Sequence, residues 1–468
     1  MRFRPGRSLA LGVALAAPAV LPAQGFGLNE IGTCAVARVG ATTGAPCNDA
    51  SSIYWNPAAP AGLKGISIYA GVASIGVGGD FTADTTGRVE EPSVPTEFPP
   101  HLFVNWRGNH RYSLGLGIYV PYGLTSQWKD DFSGRFTAQR ASLATIYVQP
   151  NIAIEITPNW SIGGGPVFGR STVELVQSLD LSQQFVPGST TTTLASLGIA
   201  PNTEFGRAAL EGSASGYGFH VGVHGKIGNT LQVGARFLSS MAFEYESATA
   251  RFIQLGTNLV VADATLAGQL GVPVGTSWDA ILATNFRGGG SLVQQKVRTL
   301  ITHPGQIQFG VGYTAPTGTL VSVDGAHIRW SKFDVLPVTF LGAARTRSRT
   351  LLEDYDDSWA VRGSAEHRLA NVALRGGISW VKTPAPDVTV TPLLPDQDRL
   401  NYAFGVGLPF TFGKTPLAFD ASYLLVDTQG RRGRVIERTS ASQTAEQLNT
   451  GFYRLKANIF SISLKAQL

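Results

Sequence analysis

An all-β fold is predicted: a transmembrane antiparallel β-barrel, closed on itself and plugged by its N-terminal segment. Three observations predict it. The chain opens with an export signal, it is poor in charge and rich in glycine with no later long apolar run, and its apolar residues recur with period two.

The first segment carries Arg2, Arg4 and Arg7, then the apolar run Leu9 to Ala17, then Pro18 and small residues up to Ala23. That is the layout of a secretory signal peptide, residues 1–23, cleaved before Gln24. Ala17 and Ala19 offer a more regular small-x-small pattern, so cleavage after Ala19 is the alternative. The run is too short to stay as an anchor across about 30 Å of hydrocarbon.

Removing residues 1–23 takes away three Arg and no acid, leaving 34 basic against 32 acidic residues, a formal charge of +2. A nearly neutral chain without a Lys/Arg block argues against a nucleic-acid partner. Charged residues make up 15% of the chain and Gly numbers 55 of 468, a composition far from the roughly 25% charge and about 7% Gly of soluble domains. After the signal no apolar run reaches a helical span, so a membrane protein of this kind must pair its backbone by closing a sheet.

Alternation places successive side chains on opposite faces of a sheet. Leu114, Leu116, Ile118 and Val120 alternate with Ser113, Gly115 and Gly117; Ile146, Val148, Ile152, Ile154 and Ile156 oppose Tyr147, Gln149, Asn151 and Glu155. The same pattern holds at Tyr217 to His224, Leu231 to Phe237, Ile307 to Tyr313, Tyr402 to Leu408 and Phe460 to Lys465. A secreted sandwich also alternates. The glycine-rich uncharged face, the export signal and aromatic residues at strand ends (Trp106, Tyr119, Trp160, Trp330, Trp359 and Trp380) favour an outer-membrane barrel with an aromatic girdle.

Some joints are short, at Thr157 to Asn159 and Gly228 to Asn229, and others long, at Ser178 to Ser215, Ala250 to Val297 and Arg431 to Gly451. Short turns on one side and long extracellular loops on the other, near 178–215 and 250–297, suit an outer-membrane barrel spanning 65–468. Residues 24–64 lack sustained alternation, which makes them a hatch inside the lumen. Cys34 and Cys47, the only cysteines, form a disulfide in an oxidising periplasm, with free thiols as the alternative. His220 and His224 share a lumenal face, but no third ligand is evident; they read as solvated pore-lining residues, with no metal, no other cofactor and no catalytic group expected.

Specific stretches resemble the FadL-type long-chain fatty acid transporters, a family that includes aromatic hydrocarbon channels. They are Gly25 to Glu30; Asn56, Pro57 and Ala58; Pro121, Tyr122, Gly123 and Leu124; Gln149 and Pro150; Trp330 to Phe333; Thr383 to Asp387; and Pro395 to Arg399, in the family's order. The resemblance implies about 14 antiparallel strands, a hatch ending at Asn56 to Ala58 and a hydrophobic binding pocket.

It also implies a mechanism: capture of a long-chain fatty acid or neutral hydrocarbon by apolar loops, transfer to the pocket, and passive lateral exit into the membrane lipid. Apolar residues recur through Leu175 to Gly216 and Ile253 to Leu282, as such capture needs, or else as the loops' own core. Pro121 cannot donate to a ladder and Gly123 frees the backbone, so the strand there is expected to kink and open the wall beside Asn56. The Pro395 to Arg399 run is expected in a polar loop without a substrate role. Leu175 and Pro337 stand where basic groups are expected to meet a carboxylate; Lys332 or Arg329 takes that role, or the ligand is neutral. Leu468 replaces the usual C-terminal aromatic read by the barrel assembly machinery, and a monomer is expected. A general diffusion porin has no need of a plug, and an outer-membrane lipid-modifying enzyme needs a nucleophile motif that the seven His do not accompany.

Overall fold

The computed structural model describes residues 25–84, 86–186, 191–342, 345, 348–433 and 450–468. The expected signal peptide, residues 1–23, and most of the expected loop from Arg431 to Gly451 lie outside them. Fourteen antiparallel strands close into a barrel. They are β1 (Gly65–Ala83), β2 (Pro100–Arg107), β3 (Tyr112–Gln127), β4 (Arg140–Thr157), β5 (Trp160–Asp180) and β6 (Glu204–Ile227). Four interrupted strands follow: β7 (Leu231–Leu238, then Met241–Gln254), β8 (Gln295–His303, then Gln306–Thr314), β9 (Leu320–Ile328, then Val335–Phe340) and β10 (Arg349–Leu352, then Ser358–Leu369). The circuit ends with β11 (Val372–Val381), β12 (Arg399–Phe412), β13 (Thr415–Thr428) and β14 (Gly451–Gln467). β14 pairs with β1 from Ser67–Gln467 to Ala83–Gly451, and the Leu468 and Ile66 backbones bond reciprocally at the seam.

Alternation decides which face meets which medium. On β4, Ile146, Ile152, Ile154 and Ile156 are exposed while Tyr147, Gln149 and Asn151 are buried. Leu114, Val221, Ile307, Val323, Val361, Ile378, Phe404 and Phe460 continue the exposed apolar band around the wall. In water such a band is costly, at roughly 25 cal/mol per Å²; in lipid it is the matched surface, and the closed sheet leaves no edge to satisfy. Trp106, Trp160 and Trp359 are exposed as girdle residues should be, but Tyr119 and Trp330 are fully buried inside. Trp330 continues the inward parity of Ser322, Asp324, Ala326 and Ile328 into the short 3-10 turn Trp330–Lys332.

Two joints differ from expectation. β6 begins at Glu204 and pairs with β5 from Asp180–Glu204 onward, so the loop expected to run to Ser215 shrinks to 181–203. The later loop covers 255–294 and includes helices Ala264–Leu270 and Trp278–Leu282. Leu181, Leu194, Phe205, Val261, Leu266, Trp278 and Leu282 bury one another between these two loops. Most of the apolar residues that suggested a capture surface therefore form a loop core, while Phe185, Val260 and Val274 remain exposed.

Residues 25–64 contain α1 (Thr33–Ala37), α2 (Ser52–Trp55) and a 3-10 turn at Ala59–Gly62. α1 lies against β12 and β13, whereas α2 and the 3-10 turn lie against β3, β4 and β5. Glycines on the inward faces permit this closeness: a Cβ at Gly163 would stand 2.1 Å from the Pro57 carbonyl oxygen, and one at Gly234 2.2 Å from that of Thr43. Cys34 and Cys47 are joined by a disulfide within the segment.

Candidate functional site

Pro121 has no N–H to give a neighbouring strand, and the ladder fails around it. β3 pairs with β4 up to Tyr119–Tyr147, skips Val120 and Pro121, and resumes at Tyr122–Thr145. On its other side β3 pairs with β2 only from Leu102–Ile118 to Trp106–Leu114. The N-terminus takes up the backbone groups left over. The Gly123 amide donates to the Phe26 carbonyl at 3.0 Å, and the Leu28 amide donates to the Pro121 carbonyl at 2.9 Å. Gly123 itself is outside the left-handed glycines of the chain. Its smallness serves contact instead, since a Cβ there would stand 3.0 Å from Leu28 Cδ1.

Side chains from distant parts of the chain converge on this kink. Tyr122 Oη donates to the Pro304 carbonyl at 2.8 Å, at the break in β8, and accepts from Gln306 Nε2 at 2.9 Å. The Phe26 ring meets Trp330 and Phe333 edge-on, with centroids 4.6 and 5.3 Å away. The Gly25 amide donates to Asp396 Oδ2 at 2.9 Å, and Arg399 Nη2 donates to the Gly25 carbonyl at 3.0 Å and to Asp396 Oδ1 at 3.2 Å. Glu30 is buried beside them; loss of hydration raises its pKa, opposed by the charges of Arg399 and Arg362.

Next to the kink lies a largely apolar cavity of about 400 Å³. Leu28, Gly123, Leu124, Trp128, Tyr355 and Arg399 are among its lining residues, and so are the exposed Ile146 and Phe98 on the outer side of the wall. A smaller apolar cavity of about 40 Å³, lined by Phe26, Leu175 and Leu336, shares Leu124, Leu143 and Leu394 with it. The segment 92–100, with prolines at 92, 95, 99 and 100, spans the wall where β2 and β3 part. Glu97 exchanges backbone hydrogen bonds with Ile75 of β1, and the Ser93 amide donates to the Gln127 carbonyl of β3.

The sequence-derived site residues divide accordingly. Pro121, Tyr122, Gly123 and Leu124 stand at the kink, and Gly123 and Leu124 line the main cavity. Asn56, Pro57 and Ala58 lie elsewhere. Asn56 Nδ2 donates to the carbonyls of Thr43 at 2.9 Å and Val223 at 3.0 Å, while Asn151 and Ser161 donate to the Pro57 and Ala58 carbonyls. The triplet thus ties its turn to β4, β5 and β6, and Phe26 and Leu28, not Asn56, satisfy the kink. Lys332 and Arg329 are exposed and outside the cavity lining. The basic residues that line it are Arg399 and Lys456; Pro395, Asp396 and Gln397 line it too, and Asp396 and Arg399 form the hydrogen-bond network with Gly25 described above.

His220 is fully buried, with Nδ1 3.2 Å from Gln149 Oε1 and Nε2 3.4 Å from Arg236 Nη1. It belongs to a packed lumenal network, not a solvated pore. Sequence reasoning missed Glu30, Asp396 and Arg399 as cavity groups. For Asp396 and Arg399 the one available signal was the charged run from Pro395 to Arg399.

Comparison with known proteins agrees with this architecture. A relative from Escherichia coli described as a long-chain fatty acid transport protein is 24% identical over 431 residues, covering 89% of this chain and 90% of that protein. Among solved structures, a Pseudomonas aeruginosa FadL homologue superposes with TM-score 0.74 at 18% identity, covering 95% of this chain and all of that one. The Pseudomonas putida toluene transporter TodX gives TM-score 0.62 at 14% identity, covering 95% and 99%. Residues 13–467 match the model of the family described as outer membrane protein transport protein (OMPP1/FadL/TodX), and the chain is an outer-membrane β-barrel belonging to that family.

Proposed function

We propose that this protein carries hydrophobic molecules passively across the outer membrane and releases them sideways through its wall. The observation that carries the reading is a cavity whose lining includes both Leu28 of the N-terminal segment and the exposed Ile146 on the outer side of the wall. An apolar molecule gains nothing from an aqueous pore, whereas an apolar passage from cavity to lipid removes it from water throughout. The exit runs past Val120 and Gly123, where β3 lacks its partner strand.

Residues 25–64 act as the plug. Their packing against strands on different sides of the wall supports this, as does the buried contact of Arg236 Nη1 with the Tyr54 carbonyl at 3.3 Å. Exposed Phe185, Val260 and Val274 on the long loops provide the first apolar contact outside the cell. Ligands of the class transported are long-chain fatty acids and related hydrocarbons, by analogy with the relatives described above. The protein works as a monomer, after signal-peptide removal and insertion by the barrel assembly machinery. Planar-bilayer recording together with cellular uptake tests the reading. Almost no ionic conductance with saturable uptake of a labelled hydrophobic compound supports it; a steady open current without such uptake identifies a diffusion porin.

A further inference from the structure

The gap beside β3 has two rims, and they are held unequally. Below it, β2 and β3 pair up to Leu102–Ile118; above it, the Ser93 amide donates to the Gln127 carbonyl at 2.7 Å. Between these points a window separates residues 94–100 from residues 120–126. Val94, Glu97 and Phe98 on one side and Val120, Gly123 and Leu124 on the other all line the main cavity. Among the described residues one hydrogen bond crosses the window: Thr125 Oγ1 donates to Glu97 Oε1 at 3.0 Å.

The β3 rim is tied on every side. It pairs with β4 from Tyr122–Thr145 to Gln127–Arg140, it is bonded to Phe26 and Leu28 at the kink, and Ser126 Oγ donates to the Pro392 carbonyl at 2.7 Å. The facing rim hangs on less. Ala73 and Ile75 of β1 donate to the Pro99 and Glu97 carbonyls at 3.2 and 2.8 Å, and the Glu97 amide donates back to Ile75 at 3.0 Å. Among the described residues, 92–96 form no backbone bond with β1. Pro92, Pro95, Pro99 and Pro100 have no N–H with which this rim could zip onto β3. The same lack lets the segment leave β3 with few donors orphaned beside lipid, and a stretch so rich in proline moves as a stiff rod. Phe98 is exposed and gives that rod an apolar side chain at the outer face of the window.

We propose that residues 92–100 are the moving rim of the exit. The proline strap is latched to β3 by the Thr125 hydroxyl and the Glu97 carboxylate, and it swings off β3 when a hydrophobic molecule leaves, while the kink and the N-terminal segment stay together. Glu97 and Thr125 are positioning residues in this account: they set how far the window opens.

The proposal rests on the lateral release argued above and is tested apart from it. In cells carrying Glu97→Cys with Thr125→Cys, uptake of radiolabelled hexadecanoate is measured before and after the two thiols are bridged by a short bis-methanethiosulfonate, which reductant removes. Bridging is expected to cut uptake at least tenfold and reductant to restore it. Glu97→Cys alone, carrying a one-ended label of the same length, is expected to lose at most half, because bulk without a tether leaves the strap free. Thr125→Val removes the latch donor at similar volume and is expected to raise uptake about threefold, as the loss of one partly exposed hydrogen bond allows. It decides the matter alone should the double variant fail to assemble, and uptake no higher than wild type then overturns the proposal. Uptake untouched by the bridge, or lost equally with the one-ended label, also overturns it. If Gly123→Arg abolishes uptake in parallel cells, lateral release stands without a moving strap; if neither the bridge nor Gly123→Arg has any effect, lateral release itself fails.

Discussion

Leu28 and Pro121 are joined through the backbone: the Leu28 amide donates to the Pro121 carbonyl at 2.9 Å, ninety-three positions along the chain. The N-terminal segment thereby supplies the partner that the wall lacks at its kink. Any shift of residues 26–28 would free the Pro121 carbonyl and the Gly123 amide together. Such a pair of orphan groups near lipid costs several kcal/mol, so segment and kink should move as one unit.

Asn56 makes the opposite end of that segment rigid. Asn56→Ala removes its donors to the Thr43 and Val223 carbonyls and its acceptor for the Ala58 amide. With these groups buried, the loss should be about 2 to 4 kcal/mol of local stability. The expected outcome is intermittent ionic current in planar bilayers, against the nearly closed baseline expected of the wild type. An unchanged closed baseline would mean that the remaining contacts suffice to hold the segment.

The Cys34–Cys47 bridge encloses a separation of 13 residues. By loop-closure entropy it is worth roughly 3 kcal/mol to the segment. Protein extracted from outer membranes should resist thiol labelling until reduced and denatured, and then label at both positions. Labelling of both without reductant would show the bridge to be absent in the cell.

Glu30 gives stability a pH dependence of definite sign. Its folded pKa is raised from 4.5, chiefly by desolvation. The folded state therefore holds a proton that the unfolded state has released, and stability falls as pH rises through the window above 4.5. Melting temperatures measured in detergent from pH 4 upward should decline over that window in wild type and decline less in Glu30→Gln. Parallel curves for the two proteins would remove Glu30 as the cause.

The wall was legible because period two is a local signal: Ile152 and Asn151 show their faces from sequence alone, and both faces are as read. Pro121 was legible for a similar reason, since a missing N–H is a property of the residue itself. The cavity's charged end was not. Gly25 and Asp396 meet across 371 positions, and a charged run in a long loop looks solvated until the loop is seen folded inward. Tyr119 and Trp330 carry the same strand-end aromatic signal as Trp106. Only the parity within each strand, odd for the inward face around Tyr119 and even for that around Trp330, decides whether such a ring faces lipid or lumen.

Uptake by cells carrying Gly123→Arg tests the central claim of lateral release most directly. Gly123 lines the cavity with its position for a Cβ already 3.0 Å from Leu28 Cδ1, so the arginine must project into the passage or displace Leu28. With surface expression matched and the barrel shown intact by heat-modifiable migration, uptake of a radiolabelled hydrophobic compound should fall to the level of cells lacking the protein. Uptake at the wild-type rate would contradict the account, because substrate would then be leaving by a route that does not pass the kink.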